Sequence, residues 1–125
     1  MTEPLPEPMV VYLDWPPAAL SPNARGHWSK RAKAAKQYRA DCHHLTLISK
    51  IKVDWPGAVY LCVTFYPPDK RSRDDDNLIA GFKAGRDGIA DALGIDDKRF
   101  IVHHRIGAYP EKGGKVRVAL SKEPF

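Results

Sequence analysis

The sequence predicts an α+β fold: a single compact domain of order β-α-β-α-β-β, with a mixed sheet packed against two main helices. Three observations carry this. The segment AVYLCVTFYP at 58–67 is nearly continuous in apolar residues, as expected of a central strand covered on both faces. Two longer segments, at 30–49 and from about 75 to 93, space their apolar residues as a helix does. Shorter runs of β-branched and aromatic residues near both chain ends, bounded by Pro and Gly, supply the other strands. At 125 residues the chain can bury roughly two-thirds of its unfolded surface, so one domain suffices without covalent staples.

In chain order, residues 1–8 (MTEPLPEP) read as a flexible tail and residues 9–125 as the domain. MVVYLDW at 9–15 is the first strand, stopped by Pro16 and Pro17. The loop PPAALSPNARGHW follows and holds no predicted regular structure before Trp28. Ser29 is the expected N-cap of a helix that runs to about Ser49, with Ala34, Tyr38, Leu45 and Ile48 at apolar spacing. Lys30, Arg31, Lys33 and Lys36 make its first turns basic, which suits either a solvated face or contact with DNA. The central strand comes next and ends at Pro67 and Pro68.

A second helix starts near Asp75 or Asp76 and continues to Leu93, where Gly94 stops it. Leu78, Phe82, Gly85, Ile89 and Leu93 form one stripe; Asp76, Ala80, Lys83, Asp87 and Asp91 form the opposite one. FIVHHRIGAY at 100–109 is a strand, PEKGGK a hairpin turn on Gly113 and Gly114, and VRVAL at 116–120 the last strand.

Composition excludes several classes. No apolar run approaches the ~20 residues of a membrane span, and the acidic, proline-rich start lacks a secretory pattern, so a cytoplasmic location without membrane partners is expected. Cys42 and Cys62 stand alone inside predicted elements and read as reduced core thiols. The pairs His43–His44 and His103–His104 lie in regular elements where adjacent side chains diverge, so neither reads as a metal site. The formal net charge is +5, and its distribution says more than its sum. Between Ser21 and Lys52 stand eight Lys or Arg residues and one acid, Asp41, whereas residues 69–97 hold eight of the fifteen acids. A basic block beside an acidic centre suits binding of a polyanion through cationic side chains and metal together.

The acids concentrate at Asp74, Asp75, Asp76 and Asn77, directly after Lys70, Arg71 and Arg73. Such a run needs a compensating cation or a helix N-terminus. Asp74 and Asp76, one residue apart, can converge on one hard cation in a non-helical turn, and Asp96 or Asp97 returns after the helix as a third carboxylate. Carboxylate-held Mg²⁺ suits phosphodiester cleavage, with Lys83 offering a cation to the phosphate or the leaving group. Capping alone would also favour Asp before a helix. A calcium loop of the helix-loop-helix type is excluded, because Leu78 takes the third ligand position and no glycine follows it.

With these parts laid end to end the chain resembles the RusA family of Holliday-junction resolvases, over most of its length. The matching parts are WPP at 15–17, SPN with Asn23 before a basic helix, FYPPDKRSRDDDNL, DAL at 91–93, DD at 96–97 and KGG at 112–114. The resemblance places metal-binding carboxylates at Asp74, Asp76 and Asp97, the variable position at Asp75, and supporting roles at Asn77 and Asp96. It departs at the lysine: the family's position meets Ala80, the interval to DAL is about seven residues longer, and Lys83 stands as the substitute on the same face. It implies a homodimeric, Mg²⁺-dependent endonuclease, with Mn²⁺ as a substitute, that cuts four-way DNA junctions by paired nicks in recombination and repair. Arg25, His27, Lys30, Arg31, Lys33, Arg71 and Arg73 are the candidate DNA-backbone contacts. Two alternatives stand beside it: a DNA-binding accessory protein without chemistry, and a nuclease for flaps, forks or RNA.

Overall fold

A computed structural model describes residues 9–71 and 73–125; the predicted tail at 1–8 lies outside the described residues. Strands β1 (Met9–Asp14), β2 (Val59–Tyr66), β3 (Phe100–Ile106) and β4 (Lys115–Ser121) form one sheet in the order β1-β4-β2-β3. β2 pairs parallel with β3 and antiparallel with β4, and β1 pairs antiparallel with β4, so the sheet is mixed as expected. The near-continuous apolar run of β2 takes the inner place: Leu61, Cys62, Val63, Thr64 and Phe65 are all buried. Val59, Leu61, Val63 and Phe65 join Val11, Leu13, Val116, Val118 and Leu120 in a core closed from one side by the helices α1 (Trp28–Ser49), α2 (Asp75–Gly81) and α3 (Lys83–Leu93).

The structure corrects four expectations. The loop before Trp28 is not wholly irregular: Ala18–Leu20 form one 3₁₀ turn, the Leu20 N–H donating to the Pro17 carbonyl at 3.0 Å, which buries Leu20 in the core. The KGG turn does not close a hairpin, because β2 lies between β3 and β4. PEKGGK instead carries the chain past the end of β2, where the Glu111 N–H donates to the Pro67 carbonyl at 2.9 Å. An inner strand this apolar is best covered with a neighbour on each edge, and a hairpin would have left it one.

The second helix is also two helices, broken at Phe82, whose φ of −89° and ψ of −6° fall outside regular helix. Phe82 is 2% exposed and meets Phe65 edge-on at 5.8 Å and Tyr38 at 6.4 Å, so the break is where the chain turns its largest apolar side chain into the core. The apolar stripe survives it, with Gly85 and Ile89 buried below.

The first helix, finally, is capped by His27 and not Ser29. The His27 Nδ1 accepts from the Ser29 N–H at 3.1 Å, and Trp28 is already helical.

α1 and α3 cross at close range because α3 presents glycine there. A Cβ on Gly88 would stand 2.3 Å from the Arg39 carbonyl oxygen, and one on Gly85 2.8 Å from the Tyr38 ring. Cys42 and Cys62 are buried free thiols, and burial pushes the Cys42 thiol up to about 12. Among the described residues no helix is long and apolar enough to cross a membrane.

Candidate functional site

Trp15 organises the end of the sheet where β2 stops. Its ring lies edge-on to Phe65 at 6.1 Å, and the Arg73 guanidinium sits over it at 5.8 Å. Gly114 passes beneath, with φ of +77° and so near that a Cβ would stand 2.7 Å from the Trp15 side chain. WPP, KGG and Arg73 before the acidic run, distant in sequence, therefore meet at one indole.

A cleft of about 550 Å³ opens beside it, lined by Trp15, Pro17, Ser21 and Asn23 from one loop and Arg71, Arg73, Asp74 and Asn77 from the other. Arg73 is spent on the scaffold. Its Nη1 pairs with Asp69 at 2.9 Å and donates to the Arg71 carbonyl at 3.0 Å, leaving the side chain 16% exposed. Arg73 and then the Arg71 N–H hold the Asp69 carboxyl down at about 2. The Arg71 Nε also meets Asp69 at 3.2 Å, but its side chain stays 80% exposed and its terminal nitrogens remain able to reach a ligand. Farther along the first loop a smaller hollow of about 250 Å³ gathers Arg25, His27, Lys30 and Arg31 around Trp28. Trp28 is 74% exposed, and the sequence reading passed over it. A tryptophan inside a basic block, at the start of a helix with no apolar face there to join, was the available signal. Lys33 is exposed one turn on.

The acidic residues divide. Asp74 caps α2, its Oδ1 accepting from the Asp76 N–H at 2.9 Å, so the capping role is filled. Asp75 and Asp76 stand exposed in the first turn, and among the described residues neither enters an ion pair. Asn77 is half-buried against the cleft. Lys83, Asp87, Asp91, Asp96 and Asp97 belong instead to a second hollow of about 380 Å³ behind α3.

There Lys83 turns its ammonium to Asp87 at 3.3 Å, while Arg39 grips Asp91 with bonds of 2.6 and 2.9 Å. Arg86 reaches Asp97 at 3.4 Å. Arg39 lowers the Asp91 pKa, and the Lys98 N–H, which Asp96 accepts at 2.9 Å, lowers that of Asp96. DAL thus has a structural use, since its acid ties α3 to α1.

Asp74 follows the end of β2, whereas Asp97 precedes Phe100, which pairs with Val59 at the start of β2. Among the described residues no three His, Cys, Asp or Glu side chains lie close enough to share a metal ion. The donor chemistry of Asp74, Asp76 and Asp97 suits Mg²⁺, but within one chain these three do not converge and do not fit as a single metal site. The displaced Lys83 likewise points into the second hollow, away from the Asp74 cleft.

No family model matches the chain. It is 44% identical over 112 residues to a protein of Xylella fastidiosa (strain Temecula1 / ATCC 700964) described as an uncharacterized protein, a match that spans 87% of this chain and 73% of that one. At that identity and coverage the chain belongs to one family with the Xylella fastidiosa protein.

Proposed function

We propose that this chain is a RusA-like endodeoxyribonuclease that resolves four-way DNA junctions as a homodimer, using Mg²⁺ or in its place Mn²⁺. The observation that carries the reading is the meeting of WPP, SPN, Arg71, RDDDN and KGG around Trp15 and one cleft, with exposed basic residues on the same loop. Arg71, Arg25, His27, Lys30, Arg31 and Lys33 give that side a phosphate-binding character, and Trp28 adds an exposed ring. Asp75 and Asp76, without an ion pair among the described residues, would repel a phosphate backbone unless a cation lay between. That conflict supports dependence on a divalent ion. An isologous dimer would present the cleft twice, as paired nicks in a near-two-fold junction require.

Incubation of the purified chain with labelled four-way junctions and Mg²⁺ tests the reading. Paired nicks are expected from wild type and none from Asp76→Asn; the absence of Mg²⁺-dependent cleavage by wild type would sink it. The separation of Asp97 from Asp74 favours one second reading, a junction-binding accessory protein without chemistry. It predicts salt-sensitive junction binding with no nicking at any metal concentration.

A further inference from the structure

The described helices all pack on one face of the sheet, and the opposite face carries a pattern that the cleft does not use. Strand register places Tyr12 beside Arg117, Arg117 beside Thr64 and Thr64 beside Arg105, one row across all four strands. Neighbouring strands lie about 4.8 Å apart, so the two arginines stand roughly 10 Å apart with the threonine hydroxyl between them. Among the described residues neither arginine enters an ion pair. They line a cleft of about 570 Å³ in which Glu111 is the one carboxylate among the described residues, and Tyr109 stands at its rim 80% exposed. The next row has a floor of small buried side chains, Cys62 and Ala119, and Tyr12 rises beside it 55% exposed.

Two unneutralised guanidinium groups flanking a hydroxyl match a phosphate, which arginine grips with paired donors. Exposed tyrosine rings at the rim match base faces, which a duplex hides and a single strand offers. We propose that this helix-free face binds a single-stranded segment of nucleic acid, with a backbone phosphate between Arg105 and Arg117 and bases against Tyr12 and Tyr109. The inference rests on the reading above only for the source of the strand, which branched DNA would supply.

The experiment is fluorescence anisotropy of the full chain with labelled oligothymidylate, in the absence of divalent metal. Reversing both charges, Arg105→Glu with Arg117→Glu, should weaken binding at least tenfold. Loss of that one phosphate contact should reduce the slope of log affinity against log salt by about 0.7. Tyr12→Ala should weaken it severalfold without changing that slope. If the reversed pair does not fold, Arg105→Gln with Arg117→Gln carries the same slope test.

Affinity within twofold of wild type in the folded double variant overturns the proposal. So does a wild-type dimer in sedimentation that the double variant dissociates, which would make this face the contact between copies. Junction cleavage in Mg²⁺ is scored separately, so its failure removes the endonuclease and leaves the anisotropy result standing.

Discussion

The carboxylates at the end of β2 and those behind α3 come from one stretch of sequence, and the fold treats them differently. Behind α3 three of four find a cation of the same chain: Asp87 takes Lys83, Asp91 takes Arg39 and Asp97 takes Arg86, while Asp96 accepts from the Lys98 N–H. At the end of β2, Asp74 caps a helix, while Asp75 and Asp76 are left without an ion pair among the described residues. Charge that a protein neutralises internally holds it together, whereas charge left open calls for a partner from outside. The contrast also grades the second group. Asp91 is held by two short bonds and Asp97 by one of 3.4 Å, so Asp91 is committed and Asp97 can be drawn away.

The largest expected effect breaks or upholds that grading. In the junction assay Asp74→Asn and Asp76→Asn should each lower cleavage by about 100-fold or more, while Asp75→Asn and Asp91→Asn stay within about threefold of wild type. Asn caps a helix as well as Asp does, so Asp74→Asn should melt within about 0.5 kcal/mol of wild type. Its lost activity could not then be blamed on lost fold. If Asp75→Asn fails as badly as Asp76→Asn, the open acids act as an undivided charge and the assignment of individual roles is wrong.

Next comes the contact that lets the second group form. Arg39 reaches Asp91 only because α1 and α3 approach at Gly88, where a Cβ would meet the Arg39 carbonyl oxygen at 2.3 Å, the His43 nitrogen at 3.0 Å and the Cys42 Cβ at 3.1 Å. Backbone cannot move aside as a flexible side chain can. Gly88→Ala should therefore cost about 2–3 kcal/mol by denaturant titration, despite the better helix propensity of alanine. A neutral or stabilising result would mean that the helices can separate without loss.

The sequence disclosed these two regions unequally, for physical reasons. β2 was plain because burial on both faces leaves a mark on every residue, and the second helical stripe was plain because its period survives the break at Phe82. The break was hidden, since a phenylalanine on the stripe reads the same whether the helix continues or turns. The KGG connection was misread as a hairpin because glycine pairs announce a turn and not which strands it joins. Trp15 was legible as part of a motif but not as the place where three motifs meet, which depends on contacts across 99 positions of chain, from Trp15 to Gly114. The ion pairs behind α3 were illegible for the same reason: Arg39 and Asp91 lie 52 residues apart.

A smaller effect tests the structural use of DAL. Arg39 and Asp91 are 51% and 35% exposed, so solvent screening leaves their pair worth about 0.3–1 kcal/mol, at the upper end for its two-pronged geometry. Arg39→Ala should lower stability by that amount at neutral pH and by less in 1 M salt. The Asp91 pKa is depressed in the fold, so the contribution is present above the unfolded value near pH 4 and is lost as pH falls through the folded value. A salt-independent loss would assign the effect to the arginine stem and not to the ion pair.

The smallest expected effect lies between the two regions, at His104, whose ring stacks on Phe65 with centroids 6.2 Å apart. Burial lowers its pKa first, then the charges of Arg86 and His103, while Asp75 acts weakly in the other direction. A histidine whose folded pKa lies below the unfolded value near 6.5 binds fewer protons folded than unfolded between those two points. Its contribution is therefore complete above about pH 6.5 and declines as pH drops toward the folded value. The melting temperature of wild type minus that of His104→Gln should be flat from pH 7 to 8 and fall below pH 6.5. Asp75→Asn removes a charge that favours the imidazolium, so in that background the decline should steepen. An unchanged profile would show that Asp75 faces solvent alone, as open to an external partner as Asp76.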